Sequence, residues 1–152
     1  MKDIVMTKSK TILPKVLVYC VRGDHLLVFR HMDAQQHEIG IQVPGGEVRP
    51  GQDPLVAGKR EVIAATGEDG FAIDGLLGET EYDLSPGRAE IEARSFVLAH
   101  PITSLPKRWV VNRKSDGARL EFFWLPLAGA HVLQSGQGAL IGAIADFVRP
   151  SS

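Results

Sequence analysis

The feature that most constrains this chain is the segment 44–67, PGGEVRPGQDPLVAGKREVIAATG, because it sets one bend and both ends of one helix. The Pro-Gly-Gly start predicts a sharp bend after a short strand at residues 40–43. Asp53 suits the N-cap position and Pro54 suits the first helical position. Gly67 suits the left-handed position that ends a helix. The segment therefore predicts a strand, a loop, a helix and a turn in that order.

The rest of the chain contains mostly β-strand patterns. β-branched and apolar runs separated by turn residues predict six further strands, at residues 15–22, 25–30, 76–84, 91–99, 108–113 and 120–127. Apolar residues at spacings of three and four predict a second, C-terminal helix over Gln137–Val148. Strands outnumber helices and do not alternate with them strictly, which indicates the α+β class. Residues 1–14 are predicted to form a loosely held arm, and residues 15–149 a single domain.

Composition excludes several classes of protein. The 152 residues carry a net charge of -1, which gives no global electrostatic reason to expect nucleic acid or a membrane as partner. The single cysteine, Cys20, lies in an apolar run and is predicted to be a buried thiol. No apolar run approaches the roughly 18 residues of a membrane span, and the N-terminus lacks the apolar stretch of a signal peptide. A cytoplasmic protein is expected.

The segment from Gly46 to Glu68 resembles the Nudix (MutT-like) signature, G-x5-E-x7-R-E-U-x-E-E-x-G-U, in which U is a bulky aliphatic residue. The register holds without a gap, and the residues that match are Gly46, Arg60, Glu61, Val62 and Gly67. The runs RSFVLA (94–99) and RLEFFWLPL (119–127) resemble the strands that follow this box in the family. The resemblance implies the Nudix fold, an α/β/α sandwich with a mixed β-sheet between the box helix and a C-terminal helix.

The resemblance also implies a chemistry. Nudix hydrolases cleave nucleoside diphosphate-linked compounds by water attack at phosphorus, with Mg²⁺ or Mn²⁺. The R-E-U-x-E-E pattern places three carboxylates on one helical face, and carboxylate oxygens suit these cations. By position, the resemblance makes Arg60 and Glu61 the catalytic residues. It places Gly45, Gly46 and Glu47 in the loop that contacts phosphate.

The box departs from the family pattern at most of its carboxylates. Gln52, Ala64 and Ala65 stand where the family has glutamate, so Glu61 is the one box glutamate that remains. Alanine cannot coordinate a cation, and an ordinary metal site centred on the helix is therefore not expected. Glu121 is the best single candidate to join Glu61 as a metal ligand. Other acids are predicted to be mostly solvated: Glu47, Glu68, Asp69, Glu79, Glu81, Glu90 and Glu92.

Two further patterns allow alternative interpretations. Arg60 faces Gln52 in the box register, which favours a role in bracing the loop over one in contacting phosphate. Basic residues flank Trp109, which indicates either phosphate contacts beside a stacking ring or, preferably, a solvated hairpin with a core tryptophan: Lys107, Arg108, Arg113 and Lys114.

Three functions remain open from the sequence. The first is a divergent pyrophosphohydrolase in which Glu61 and acids outside the box hold the metal. The second is a module that binds a nucleotide or RNA without cleaving it. The third is a partner-binding or dimerising domain, and the resemblance leaves a homodimer open. The small-molecule partner expected from the resemblance is a nucleoside diphosphate-linked compound, whereas nucleic acid is not expected.

Overall fold

The computed structural model describes residues 9–33 and 40–147. These residues form seven strands, one α-helix and two 3-10 helices. The strands are β1 (Thr11–Arg22), β2 (His25–His31), β3 (Gly45–Glu47), β4 (Phe71–Asp83), β5 (Glu90–Pro101), β6 (Arg108–Asn112) and β7 (Arg119–Pro126). The α-helix is α1 (Pro54–Thr66), and the 3-10 helices are Leu127–Val132 and Ile141–Ala143. Within this part of the chain, no helix is long and apolar enough to cross a membrane.

The strands form one mixed sheet in the order β4-β5-β1-β2-β7-β6, with β3 paired to β1 beside this path. β1 and β5 run parallel from Thr11 opposite Glu90 to Cys20 opposite Ala99, and the other pairs are antiparallel. The predicted α+β class and mixed sheet are confirmed.

The sheet buries apolar side chains on both faces. On one face, α1 and the β6–β7 hairpin both contribute to a first core. The buried residues of this core are Val18, Cys20, Leu27, Phe29, Val62, Phe71, Ala99, Leu105, Ala118, Leu120 and Phe122. On the other face lies a second core, made of Leu17, Tyr19, Val21, Leu26, Val28, Val43, Phe96, Leu98, Ala130 and Leu133. The alternation of side chains along β1, β2 and β7 supplies both cores. The predicted burial of Cys20 is confirmed.

The helix α1 begins and ends where the sequence predicts. The Asp53 carboxylate accepts a hydrogen bond from the Leu55 amide at 2.9 Å, which caps the first turn. Gly67 adopts a φ of 73°, and its amide donates to the Ile63 carbonyl at 3.0 Å. The left-handed conformation costs glycine little, so this position ends the helix cleanly.

Three predicted boundaries need correction. The strand predicted over residues 76–84 is β4, which begins earlier, at Phe71. Residues 11–14, assigned to the arm, belong to β1 and pair with β5, while residues 1–8 lie outside the described part. Residues 40–43 form isolated bridges only, with Gln42 opposite Phe29 and Ile41 opposite Leu133. The strand that joins the sheet here is β3, which pairs with β1 through the two glycines.

The predicted C-terminal α-helix is wrong for the described residues of its range, and Val148 lies outside them. Residues 137–147 form turns and the single 3-10 helix Ile141–Ala143. Gly138 and Gly142 interrupt the segment, and each glycine costs a helix about 1 kcal/mol relative to alanine. The apolar residues nevertheless pack on the second core, as predicted from their pattern: Leu140, Ile141, Ile144 and Phe147.

Candidate functional site

A cavity of about 600 Å³ lies between the C-terminal half of α1 and the β6–β7 hairpin, and we call it the helix–hairpin cavity. The helix side and the strand ends contribute Phe29, Gly45, Glu61, Ala64, Ala65, Gly67 and Leu120. The hairpin contributes Val111, Asn112, Arg113, Lys114 and Ser115. Most of the box positions that face this cavity are therefore small or apolar.

Trp109 fixes the hairpin to the helix. Its ring stacks on Phe122 with centroids 5.4 Å apart and planes 13° apart. Its indole N–H donates to the Thr66 carbonyl at the end of α1, at 3.1 Å. The tryptophan is thus part of the core, as the sequence favoured. Its hydrogen bond to Thr66 joins the hairpin wall of the cavity to the end of α1.

Arg60 braces the loop that precedes α1. Its Nη1 donates to Gln52 Oε1 at 2.7 Å, and its Nη2 donates to the Glu47 carbonyl at 2.7 Å. Its Nε donates to Glu61 Oε2 at 3.0 Å. All three donor nitrogens of the guanidinium are thereby engaged within the chain. This geometry supports the bracing role that the sequence favoured.

The glycines of β3 allow two close approaches. A Cβ at Gly46 would lie 2.0 Å from Glu61 Oε1, and a Cβ at Gly45 would lie 2.5 Å from the Val16 carbonyl oxygen. Real Cβ atoms do not come this close, so only glycine fits without a shift at either position. The Glu61 carboxylate therefore lies directly against the loop backbone, between Gly46 and Arg60.

The hairpin brings two cationic residues to the cavity. Arg113 forms a bidentate ion pair with Asp116, with Nε to Oδ1 at 2.9 Å and Nη2 to Oδ2 at 2.6 Å. This pair holds the pKa of Asp116 well below its usual value and raises the pKa of Arg113. Lys114 lines the cavity and is exposed. The sequence leaves two roles open for both residues: phosphate contacts beside Trp109 or, preferably, a solvated hairpin.

Glu121 does not join Glu61. It is buried on β7, where its Oε1 accepts from Arg30 Nε at 2.7 Å and its Oε2 accepts from Arg108 Nη1 at 3.0 Å. Strand alternation places it on the same side as Phe123, which packs in the second core, away from α1. Burial disfavours its charge, but the two arginines outweigh that effect and lower the pKa of Glu121. Both carboxylate oxygens of Glu121 are thus engaged with arginine, and this geometry does not favour the predicted metal role, which stays a prediction.

The described residues around the cavity do not fit a divalent cation. Among them Glu61 is the one carboxylate that lines the helix–hairpin cavity, and the side chains of Ala64 and Ala65 offer no ligand atom. No group of three or more His, Cys, Asp or Glu side chains able to hold a metal occurs in residues 9–33 and 40–147. The other candidate acids do not line the cavity: Glu47, Glu68, Asp69, Glu79, Glu81, Glu90, Glu92 and Glu121.

Solved structures with this architecture identify the fold. The chain matches the MutT NUDIX hydrolase from Burkholderia pseudomallei with a TM-score of 0.67 at 16% identity, over 89% of this chain and 99% of that one. It matches the Escherichia coli dihydroneopterin triphosphate pyrophosphohydrolase with a TM-score of 0.62 at 18% identity, over 90% and 94%. This chain has the Nudix fold. The Caenorhabditis elegans Ap4A hydrolase is similar too, with a TM-score of 0.59, 16% identity and coverage of 90% and 98%. No protein-family model and no curated protein sequence matches the chain.

The Nudix fold gives the residue positions a common frame. The box helix of the sequence analysis is α1, and the box loop runs from β3 to Asp53. The structure keeps the framework residues Gly46, Arg60 and Gly67 in contact with this loop and helix end. Of the three positions at which the box lacks the signature's glutamates, Ala64 and Ala65 form part of the cavity wall, whereas Gln52 accepts a hydrogen bond from Arg60.

Proposed function

We propose that this protein binds a nucleoside diphosphate-linked compound in the helix–hairpin cavity and does not hydrolyse it efficiently with Mg²⁺ or Mn²⁺. The observation that carries the proposal is the cavity wall itself. Two alanines and one carboxylate line it at the box positions, and that carboxylate, Glu61, is already paired with Arg60. Mg²⁺ takes six oxygen ligands, of which the protein usually supplies one or two carboxylates while waters and substrate phosphates supply the rest. Here the one box carboxylate that could serve is already engaged with Arg60.

The remaining features support binding. The cavity combines apolar walls with a small number of polar groups, as ligand sites commonly do. Val111 is partly exposed and offers apolar surface for the nucleoside, and the buried Phe29 and Leu120 also line the cavity. Lys114 offers a positive charge for phosphate. Gly45 lines the cavity, and Arg60 holds the nearby Glu47 carbonyl in place.

A second candidate is slow hydrolysis with Glu61 as the base. The observation that favours it is the position of Glu61, which keeps its box place on the cavity wall with its side chain 24% exposed. In that case Glu61 accepts a proton from the attacking water, and Arg60 serves as the positioning residue that holds the carboxylate. The third possibility, a partner-binding domain without nucleotide, predicts neither turnover nor ligand binding.

The experiment has two parts. Phosphate and pyrophosphate release is measured across nucleoside triphosphates, dinucleotides and sugar nucleotides, with Mg²⁺ and with Mn²⁺. The same compounds are tested for their effect on the melting temperature, since a ligand that binds the native state alone stabilises it. We expect stabilisation without turnover.

The variants Glu61→Gln and Glu121→Gln serve as matched controls. Metal-dependent turnover that Glu61→Gln abolishes, and that Glu121→Gln leaves intact, would refute the binding-only proposal in favour of the hydrolase. Neither turnover nor stabilisation by any compound would refute both and support the partner-binding domain.

A further inference from the structure

We propose that the helix–hairpin cavity takes the diphosphate group of its ligand without a metal ion, with the Lys114 ammonium in place of the divalent cation. This inference rests on the proposed function and specifies the form of ligand that is bound. The juxtaposition that carries it is a cationic hairpin facing a helix wall from which the box carboxylates are missing.

The charges around the cavity favour an anion. Of the residues that the structure describes, the charged ones that line the cavity are Glu61, Arg113 and Lys114. The negative charge of Glu61 is paired with Arg60, with Nε and Oε2 3.0 Å apart. The positive charge of Arg113 is paired with Asp116, with Nη2 and Oδ2 2.6 Å apart. Lys114 forms no ion pair or side-chain hydrogen bond with any residue in the described ranges 9–33 and 40–147. Counted over the described residues, one uncompensated positive charge therefore remains at the cavity.

The hairpin loop holds Lys114 in position. The Arg113 amide donates to the Ala118 carbonyl at 2.7 Å, and the Gly117 amide donates back to the Arg113 carbonyl at 2.8 Å. Asp116 Oδ1 accepts from the Ala118 amide at 3.0 Å and also binds Arg113. These hydrogen bonds between residues 113 and 118 fix the backbone on both sides of Lys114. The lysine side chain is flexible, so its ammonium can reach a bound phosphate.

The helix wall also favours a free diphosphate over its Mg²⁺ complex. At Ala64 and Ala65 glutamates would add two negative charges that repel a free diphosphate and attract its Mg²⁺ complex. With alanine at both positions that repulsion is absent, so the free anion is no longer disfavoured. Mg²⁺ neutralises two charges of a diphosphate, and the resulting complex gains less from Lys114. The cavity should therefore favour the free anion over the Mg²⁺ complex.

A matched control exists at the other end of the same strand. Lys107 lines a separate cavity of about 280 Å³ with Arg22, His25 and Trp124. It is an exposed lysine next to β6, as Lys114 is, but it does not line the helix–hairpin cavity. The variant Lys107→Gln therefore makes the same change in net charge at a different place.

The test measures binding of ADP, GDP, CDP, UDP and inorganic pyrophosphate by isothermal titration calorimetry, in EDTA and in excess Mg²⁺. At least one probe should bind in EDTA as tightly as in Mg²⁺ or more tightly. Lys114→Gln should raise its Kd in EDTA by at least about 10-fold, the usual size for a lost hydrogen bond to a charged group. Lys114→Arg should keep most of the affinity, and Lys107→Gln should leave it unchanged.

The outcomes separate this inference from the proposed function. Tighter binding in Mg²⁺ than in EDTA would overturn the inference and leave the proposed function standing. An unchanged Kd in Lys114→Gln, or an equal loss in Lys107→Gln, would overturn the role of Lys114. No binding of any probe in either buffer would refute the proposed function together with the inference.

Discussion

Replacing Arg60 with alanine should destabilise the protein and release the loop before α1. The side chain makes three hydrogen bonds, to Gln52 Oε1, the Glu47 carbonyl and Glu61 Oε2, at 2.7, 2.7 and 3.0 Å. Two of these acceptors lie in the loop and one lies on the helix. Arg60→Ala therefore removes every side-chain bond that the guanidinium makes between loop and helix.

The magnitude follows from these contacts. A hydrogen bond contributes about 1 kcal/mol net, and more when one partner is charged. The Arg60 and Glu61 side chains are 27% and 24% exposed, so water compensates part of the loss. Three bonds with this discount give an expected loss of about 2–3 kcal/mol in the free energy of unfolding.

The assay is urea unfolding with the m-value compared between variants, and Arg49→Ala is the control. Arg49 lies in the same loop and is exposed, and its side chain makes no hydrogen bond or ion pair with a residue of the described ranges. We expect a change within about 0.5 kcal/mol for this control, as for most surface substitutions. Equal losses in Arg60→Ala and Arg49→Ala would refute the bracing argument.

Three further predictions concern buried groups. Burial raises the pKa of Cys20 to about 12, so a thiol reagent should label it only after unfolding, and rapid labelling of the native protein would contradict this. Tyr19→Phe should lower the free energy of unfolding, measured in urea, by about 1–2 kcal/mol. The substitution removes the hydroxyl that bonds two backbone groups of the C-terminal segment and leaves both without this partner. Amide hydrogen exchange should rise in that segment and not in α1. The arginine partners of Glu121 lower its pKa, so its stabilisation is present above the usual glutamate pKa and is lost as pH falls through the lower folded value. Unfolding curves of Glu121→Gln should therefore show a weaker acid destabilisation than wild type, and identical pH profiles would refute the ion pairs.

The sequence by itself determined the features that local chemistry fixes. Asp53 and Gly67 bound α1 because a cap forms with residues only a few positions away. The β6–β7 hairpin follows from the turn residues between two apolar runs. Side-chain alternation along β7 places Phe122 in one core and Phe123 against the other. The box register also located the loop and helix of the candidate site, and the structure keeps its framework residues in contact.

Tertiary structure decided which of these residues meet. Side-chain alternation along a strand predicts that Glu121 and Phe122 point to opposite faces of the sheet. Which of the two faces α1 covers depends on how β7 pairs with β2 and β6. That pairing turned Glu121 towards Arg30 and away from Glu61. The C-terminal segment kept its apolar contacts without an α-helix, because bonds from the distant Tyr19 hydroxyl hold its backbone instead.

The cavity is the clearest case of a feature that only the fold could decide. Lys114 lies far along the chain from Ala64 and Ala65, and nothing in the local sequence indicates that they line the same space. They come together because the Trp109 indole bonds the Thr66 carbonyl, which joins the hairpin to the end of α1. Local patterns determine elements, whereas a site of this kind depends on long-range packing that brings separate elements together.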